Sequence, residues 1–122
     1  LLDTLARRFP DGPPTPAALF ATLRETVREI AAHGEFNFLL SNGERLYAHA
    51  STRLCYRVRQ APFAAAHLCD EDLTMDFSEV TTPQDRVAVI ATTPLTDNET
   101  WTPIPPGTLV GFCEGAVEER AQ

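Results

Sequence analysis

The sequence predicts an α+β domain, with two helices leading into a run of antiparallel strands. Three observations predict it. Helical spacing of apolar residues is confined to the first third of the 122 residues, and alternation takes over from Phe36. An Asn42-Gly43 pair flanked by apolar residues is the strongest short-range hairpin signal. The unbroken apolar run Val87–Ala91 reads as a strand buried on both faces, so the sheet should be covered rather than open to water. Helices grouped first and strands after give the pattern of helices layered on a sheet.

The elements follow in order. Leu1, Leu2, Leu5 and Phe9 fall on one helical face that lacks any start signal, which predicts a helix continuing from residues upstream of Leu1. "PDGPP" (10–14) breaks it. Thr15 stands at an N-cap position and Pro16 at the first helical position, where its missing N–H costs nothing. Leu19, Leu23, Val27 and Ile30 then mark an amphipathic helix, with Arg24, Glu25, Arg28 and Glu29 on the other face and Gly34 as its stop. Strands are expected at Phe36–Leu40, at Leu46–Ala48 and at Leu54–Arg59. Further strands are expected at Leu73–Phe77, at Val87–Ala91, at Leu109–Phe112 after the Pro105-Pro106-Gly107 corner, and near Val117 after Glu114-Gly115. No repeat or interdomain linker divides the chain, so residues 1–122 are expected to form one domain.

Composition narrows the functional classes. Hydrophobic residues make up 43% and charged residues 22%, an ordinary globular balance. A net charge of −7 argues against a nucleic-acid partner, which needs clustered Lys and Arg. The densest basic group, Arg53, Arg57 and Arg59, alternates with apolar residues and reads as a solvated strand face. No apolar stretch approaches a membrane span. The three cysteines, Cys55, Cys69 and Cys113, form no C-x-x-C pair and read as reduced thiols of a cytoplasmic protein.

Motif-level chemistry is sparse. His33, His49 and His67 match no metal-ligand spacing, and neither a metal nor another cofactor is expected. "CDEDLTMD" (69–76) lacks the glycine and spaced ligands of a calcium loop and reads as a solvated turn. No nucleophile elbow or glycine-rich phosphate cradle occurs. Arg53 and Arg57 could lower the pKa of Cys55, but a half-buried structural thiol is the better account. Trp101 is expected to staple its polar turn to the sheet, its N–H bound to a carbonyl.

Three stretches carry a resemblance. "FNFLLSNGERLYAH" is similar to the hairpin of class II glutamine amidotransferases, and "VAVIATTPLTDNETWTPIPPGTLVGF" to their strand, Trp-bearing turn and corner. "STRLCYRVRQAPF" with "DFSEVTTPQDRVAVIAT" resembles the small stand-alone bacterial branch. The resemblance covers roughly residues 1–117. It implies an αββα N-terminal-nucleophile hydrolase sandwich, with Val87–Gly115 as scaffold in one sheet. It also implies glutamine hydrolysis by an N-terminal cysteine whose own α-amino group is the base, with an Asn and a backbone N–H holding the oxyanion and an Arg and an Asp clamping the substrate. All of these groups are expected upstream of Leu1, so no catalytic position is assigned in this chain. Residues 1–122 would then be the C-terminal portion of a longer amidotransferase domain. Its partners would be the missing N-terminal half and glutamine or a γ-glutamyl compound. His49, Ser51 and Arg53 follow the hairpin and are expected at a pocket rim. The alternative is a self-contained module that binds a small ligand or a protein without catalysis, using Trp101 or the arginine face.

Overall fold

The structure, a computed structural model, describes residues 1–78 and 80–122. Helix α1 spans Leu2–Arg8 and α2 spans Pro16–Ala31. Among the described residues nine strands follow: β1 Phe38–Ser41, β2 Arg45–Ala50, β3 Leu54–Gln60, β4 Ala66–His67, β5 Thr74–Met75, β6 Arg86–Ala91, β7 Thr102–Ile104, β8 Thr108–Cys113 and β9 Ala116–Ala121. They form a four-stranded sheet in the order β1-β2-β8-β9, a three-stranded sheet β6-β3-β7 and a small β4-β5 ribbon. All pairings are antiparallel. No helix among the described residues is long and apolar enough to cross a membrane.

The α2 helix forms where its start signals place it. Thr15 is the N-cap, and its hydroxyl accepts a bond from the Ala18 N–H at 3.3 Å. Leu19, Leu23 and Val27 are buried, and Leu19 and Leu23 meet Tyr47 and Leu109 of the four-stranded sheet. Leu1, Leu5 and Phe9 join that layer, but Leu2 is 68% exposed and leaves the predicted apolar face. The opposite face of the same sheet supplies Ala48, Ala50, Val110 and Phe112, which pack on Leu54 and Ile104 of the second sheet. The result is three layers, helices on sheet on sheet.

Four expectations are corrected. The Val87–Ala91 strand is not buried on both faces: among the described residues β6 is an edge strand, paired with β3 alone, and Val87 is 47% exposed. The stretch Val87–Gly115 does not lie in one sheet. β6 and β7 belong to the three-stranded sheet, and the Pro105-Pro106-Gly107 corner passes the chain into β8 of the other. The corner is held by a bond from the Gly107 N–H to the Ala50 carbonyl at 2.7 Å. Leu73–Phe77 yields only the two-residue β5, with Leu73 and Met75 exposed, because the loop ribbon gives alternation no layer to pack on. The last strand is longer than expected, six residues, and pairs with β8 through a register shift opposite Gly111/Phe112.

Two turns fix the registers. At Asn42-Gly43 the Asn42 carboxamide oxygen accepts the Glu44 and Arg45 N–H groups at 3.1 and 2.8 Å, closing β1 onto β2. At Glu114-Gly115 both residues have positive φ, 46° and 72°, as a two-residue hairpin turn requires. A Cβ on Gly115 would fall on the Arg86 carbonyl and within 2.8 Å of the Val87 nitrogen. This turn therefore also seats the end of β8-β9 against β6 of the second sheet.

Candidate functional site

The three residues expected at a pocket rim lie around one bend, 51–53, but not in one site. His49 points from β2 into the layer beneath the helices and is 1% exposed. Its ring packs against both Phe36 and Phe38, with centroids 4.9 and 5.6 Å away, and the two phenyl rings also stack on each other at 5.8 Å. Nδ1 stands 3.2 Å from the Phe36 carbonyl oxygen, which can only accept, so the neutral ring carries its proton on Nδ1. That leaves Nε2 buried with no partner among the described residues. Burial pushes the His49 pKa below the ordinary histidine value, and the Phe36 carbonyl opposes the shift. His49 is therefore core rather than rim.

Ser51 and Arg53 belong to the bend itself. The Asn37 side chain organises it: its oxygen accepts the Ser51 N–H at 2.7 Å and the Thr52 N–H at 3.1 Å, and its nitrogen donates to the Arg53 carbonyl at 3.2 Å. Ser51 is half-buried and Arg53 exposed. Asn37 was signalled in the sequence only as a polar residue in an alternating strand. Its bonds join residues some fifteen positions apart, a non-local pairing that period-2 spacing does not reveal.

A second assembly was missed in the sequence. Arg57 and Arg59 on β3 do not form a solvated face, because both turn to one carboxylate, Glu99, whose side chain is 8% exposed. Arg59 grips it with two bonds, Nε to Oε1 at 2.9 Å and Nη2 to Oε2 at 2.6 Å. Arg57 Nε adds a bond to Oε1 at 3.2 Å and its Nη1 donates to the Thr100 carbonyl at 3.0 Å. The Thr96 hydroxyl donates to Glu99 Oε2 at 2.6 Å and accepts the Trp101 indole N–H at 2.9 Å. Trp101 thus staples its turn as expected, through a hydroxyl rather than a carbonyl. These donors, Arg59 foremost, hold the Glu99 carboxyl at a pKa of about 2 against burial, which acts to raise it. Cys55, on the same strand face, gains nothing from the arginines: burial pushes its thiol up, and Sγ donates to the Ala91 carbonyl at 3.4 Å.

The acidic 69–76 stretch is partly tied down. His67 bridges Asp97 through Nδ1 at 3.0 Å and Asp72 through Nε2 at 3.3 Å, and the two carboxylates raise its pKa, Asp72 most.

Comparison with known proteins decides the family. The model for class-II glutamine amidotransferases matches residues 1–122. The chain belongs to this family. Among curated relatives, the YafJ protein of Escherichia coli K12, named as a candidate glutamine amidotransferase, is 47% identical over 115 residues, covering 94% of this chain and 45% of YafJ. A Haemophilus influenzae Rd protein named in the same way is 44% identical over 102 residues, covering 84% of this chain and 35% of that protein. A crystal structure described as a predicted glutamine amidotransferase from Pseudomonas aeruginosa PA01 superposes with a TM-score of 0.77 at 43% identity, covering 93% of this chain and 45% of that one. The chain therefore spans less than half the length of these amidotransferase relatives.

Proposed function

We propose that this chain is the scaffold half of a class II glutamine amidotransferase-like hydrolase with the N-terminal-nucleophile sandwich. In this reading an N-terminal cysteine, outside the chain, attacks the side-chain amide carbon of glutamine or a γ-glutamyl compound. Its α-amino group takes the thiol proton and delivers it to the leaving nitrogen, ammonia or an amine departs, and water releases glutamate from the thioester. The α+β layers of this chain hold the sheets on which that site is assembled. The three cysteines, unbridged among the described residues, support a cytoplasmic setting.

One observation carries the reading beyond family membership. Leu39 on β1 pairs with Ala48, so its side chain shares the face that elsewhere forms the sheet-on-sheet core, yet it is 53% exposed. The four-stranded sheet is wider than its three-stranded partner, and β1 lies uncovered on this face. Further strands beside β7, contributed by the other half, would cover Leu39 and complete the second sheet. The test is fragment complementation. The intact protein should release glutamate from glutamine or a γ-glutamyl amide, this chain alone should not, and adding the separately made N-terminal half should restore turnover. Hydrolysis by this chain alone, or an intact protein inert toward both substrates, would sink the proposal.

A further inference from the structure

We infer that the groove over Arg57 and Arg59 is a binding site for a small-molecule oxyanion, a carboxylate or phosphate group. The groove has a volume of about 350 Å³ and is lined by the arginines, Gln60, Pro62, Phe63 and Glu99. Glu99 is the sole carboxylate among the described residues that line it. Its two oxygens are already satisfied by Arg59 at both and by Thr96. Among the described lining residues one guanidinium neutralises one carboxylate, so the second leaves a net positive charge. Glu99 stays ionised at any ordinary pH, which fixes that sum.

The surplus charge is also placed to be used. Arg57 spends Nε on Glu99 and Nη1 on the Thr100 carbonyl, while its Nη2 bonds to no protein atom among the described residues. Arg59 spends Nε and Nη2 and leaves Nη1 in the same condition. Arg59 is further pinned by the Phe77 ring, 4.9 Å from its guanidinium carbon. Both side chains are thus held before any ligand arrives, Arg59 at 16% exposure and Arg57 at 31%. Fixed guanidinium forks of this kind match the planar oxygens of carboxylates and phosphates, and little entropy remains to be lost on binding. Phe63 and Pro62 give the body of the ligand an apolar wall. In a chain of net charge −7, such a locally positive groove selects anions from solution.

The experiment is calorimetric titration of the intact natural protein with inorganic phosphate and, separately, succinate at low ionic strength. The comparison proteins are Arg57→Met, Arg57→Lys and, as a control on an exposed arginine outside the groove, Arg53→Met. The expected result is saturable binding of at least one probe, weakened at least tenfold by Arg57→Met, partly kept by Arg57→Lys and unchanged by Arg53→Met. The tighter probe identifies the headgroup. Absence of saturable binding, or equal affinity in Arg57→Met and Arg53→Met, overturns the inference. Binding by this chain alone but not by the intact protein also overturns it, because the groove would then be filled by the protein's own other half.

Discussion

Replacing Glu99 with Gln keeps the shape of the side chain while removing the charge that two arginines and Thr96 surround. The ordinary carboxyl value of 4.5 falls to about 2 in the folded chain. At about 1.4 kcal/mol per unit, ionised Glu99 contributes up to about 3 kcal/mol to folding at neutral pH. Because the folded value is depressed, this contribution is complete above pH 4.5 and is lost as pH falls through 2. Near pH 3 about 2 kcal/mol of it has gone. Gln cannot titrate, so the stability gap between wild type and Glu99→Gln isolates this one group. Urea unfolding followed by tryptophan fluorescence suits the measurement, since Trp101 bonds to Thr96, which bonds to Glu99. The gap should be about 3 kcal/mol from pH 5 to 7 and should close by about 2 kcal/mol at pH 3. A gap that stays constant over that range would show that the arginines do not act on Glu99 as an ion.

Other outcomes follow from single positions. Gly115→Ala should cost roughly 2–4 kcal/mol in denaturant unfolding, since φ is 72° and the new Cβ meets the Arg86 carbonyl. Gly43→Ala, with φ 93° but open space, should cost only about 1 kcal/mol, and equal costs would contradict the packing at Gly115. Leu23→Ala, at a fully buried site between α2 and the sheet, should cost about 2–5 kcal/mol. Two histidines should show opposite pH signs. Wild type loses stability as pH falls below 6.5 because buried His49 resists protonation, and His49→Leu should flatten that segment. His67, raised by Asp72 and Asp97, contributes below pH 6.5 and loses that contribution as pH rises through its folded value, so His67→Gln should remove a decline on the alkaline side.

The sequence disclosed what neighbours in the chain decide. Thr15-Pro16 gave the start of α2 to the residue and the Leu19, Leu23, Val27 spacing its buried face, while the helix ends at Ala31, before the expected Gly34 stop; Asn42-Gly43 gave the β1-β2 turn. It concealed what depends on distant partners. Arg57 and Arg59 look solvated until Glu99, forty residues away, is brought beneath them. The run Val87–Ala91 carries the composition of a central strand but sits at an edge, a property set by strand order and not by hydropathy. His49 shares a strand face with Tyr47, as period-2 spacing requires, and only the pairing with β1 and β8 shows which layer receives that face. The sheet switch at Pro105–Gly107 was legible as a corner, but its destination was not.

The β2-β8 pairing has a consequence for the protein's first seconds. β2 lies between β1 and β8, and its register runs from Arg45 opposite Cys113 to Ala50 opposite Thr108. A ribosome adding 5–20 residues per second needs roughly 3–12 s to pass from one strand to the other. Through that interval the nascent β1-β2 hairpin shows an unpaired inner edge, with Tyr47, Ala48 and Ala50 still lacking the neighbour that buries them. Newly made chains on one messenger are therefore most prone to stick to each other while the stretch from Ser51 to Gly107 is being translated, and a chaperone would have most to shield in that window.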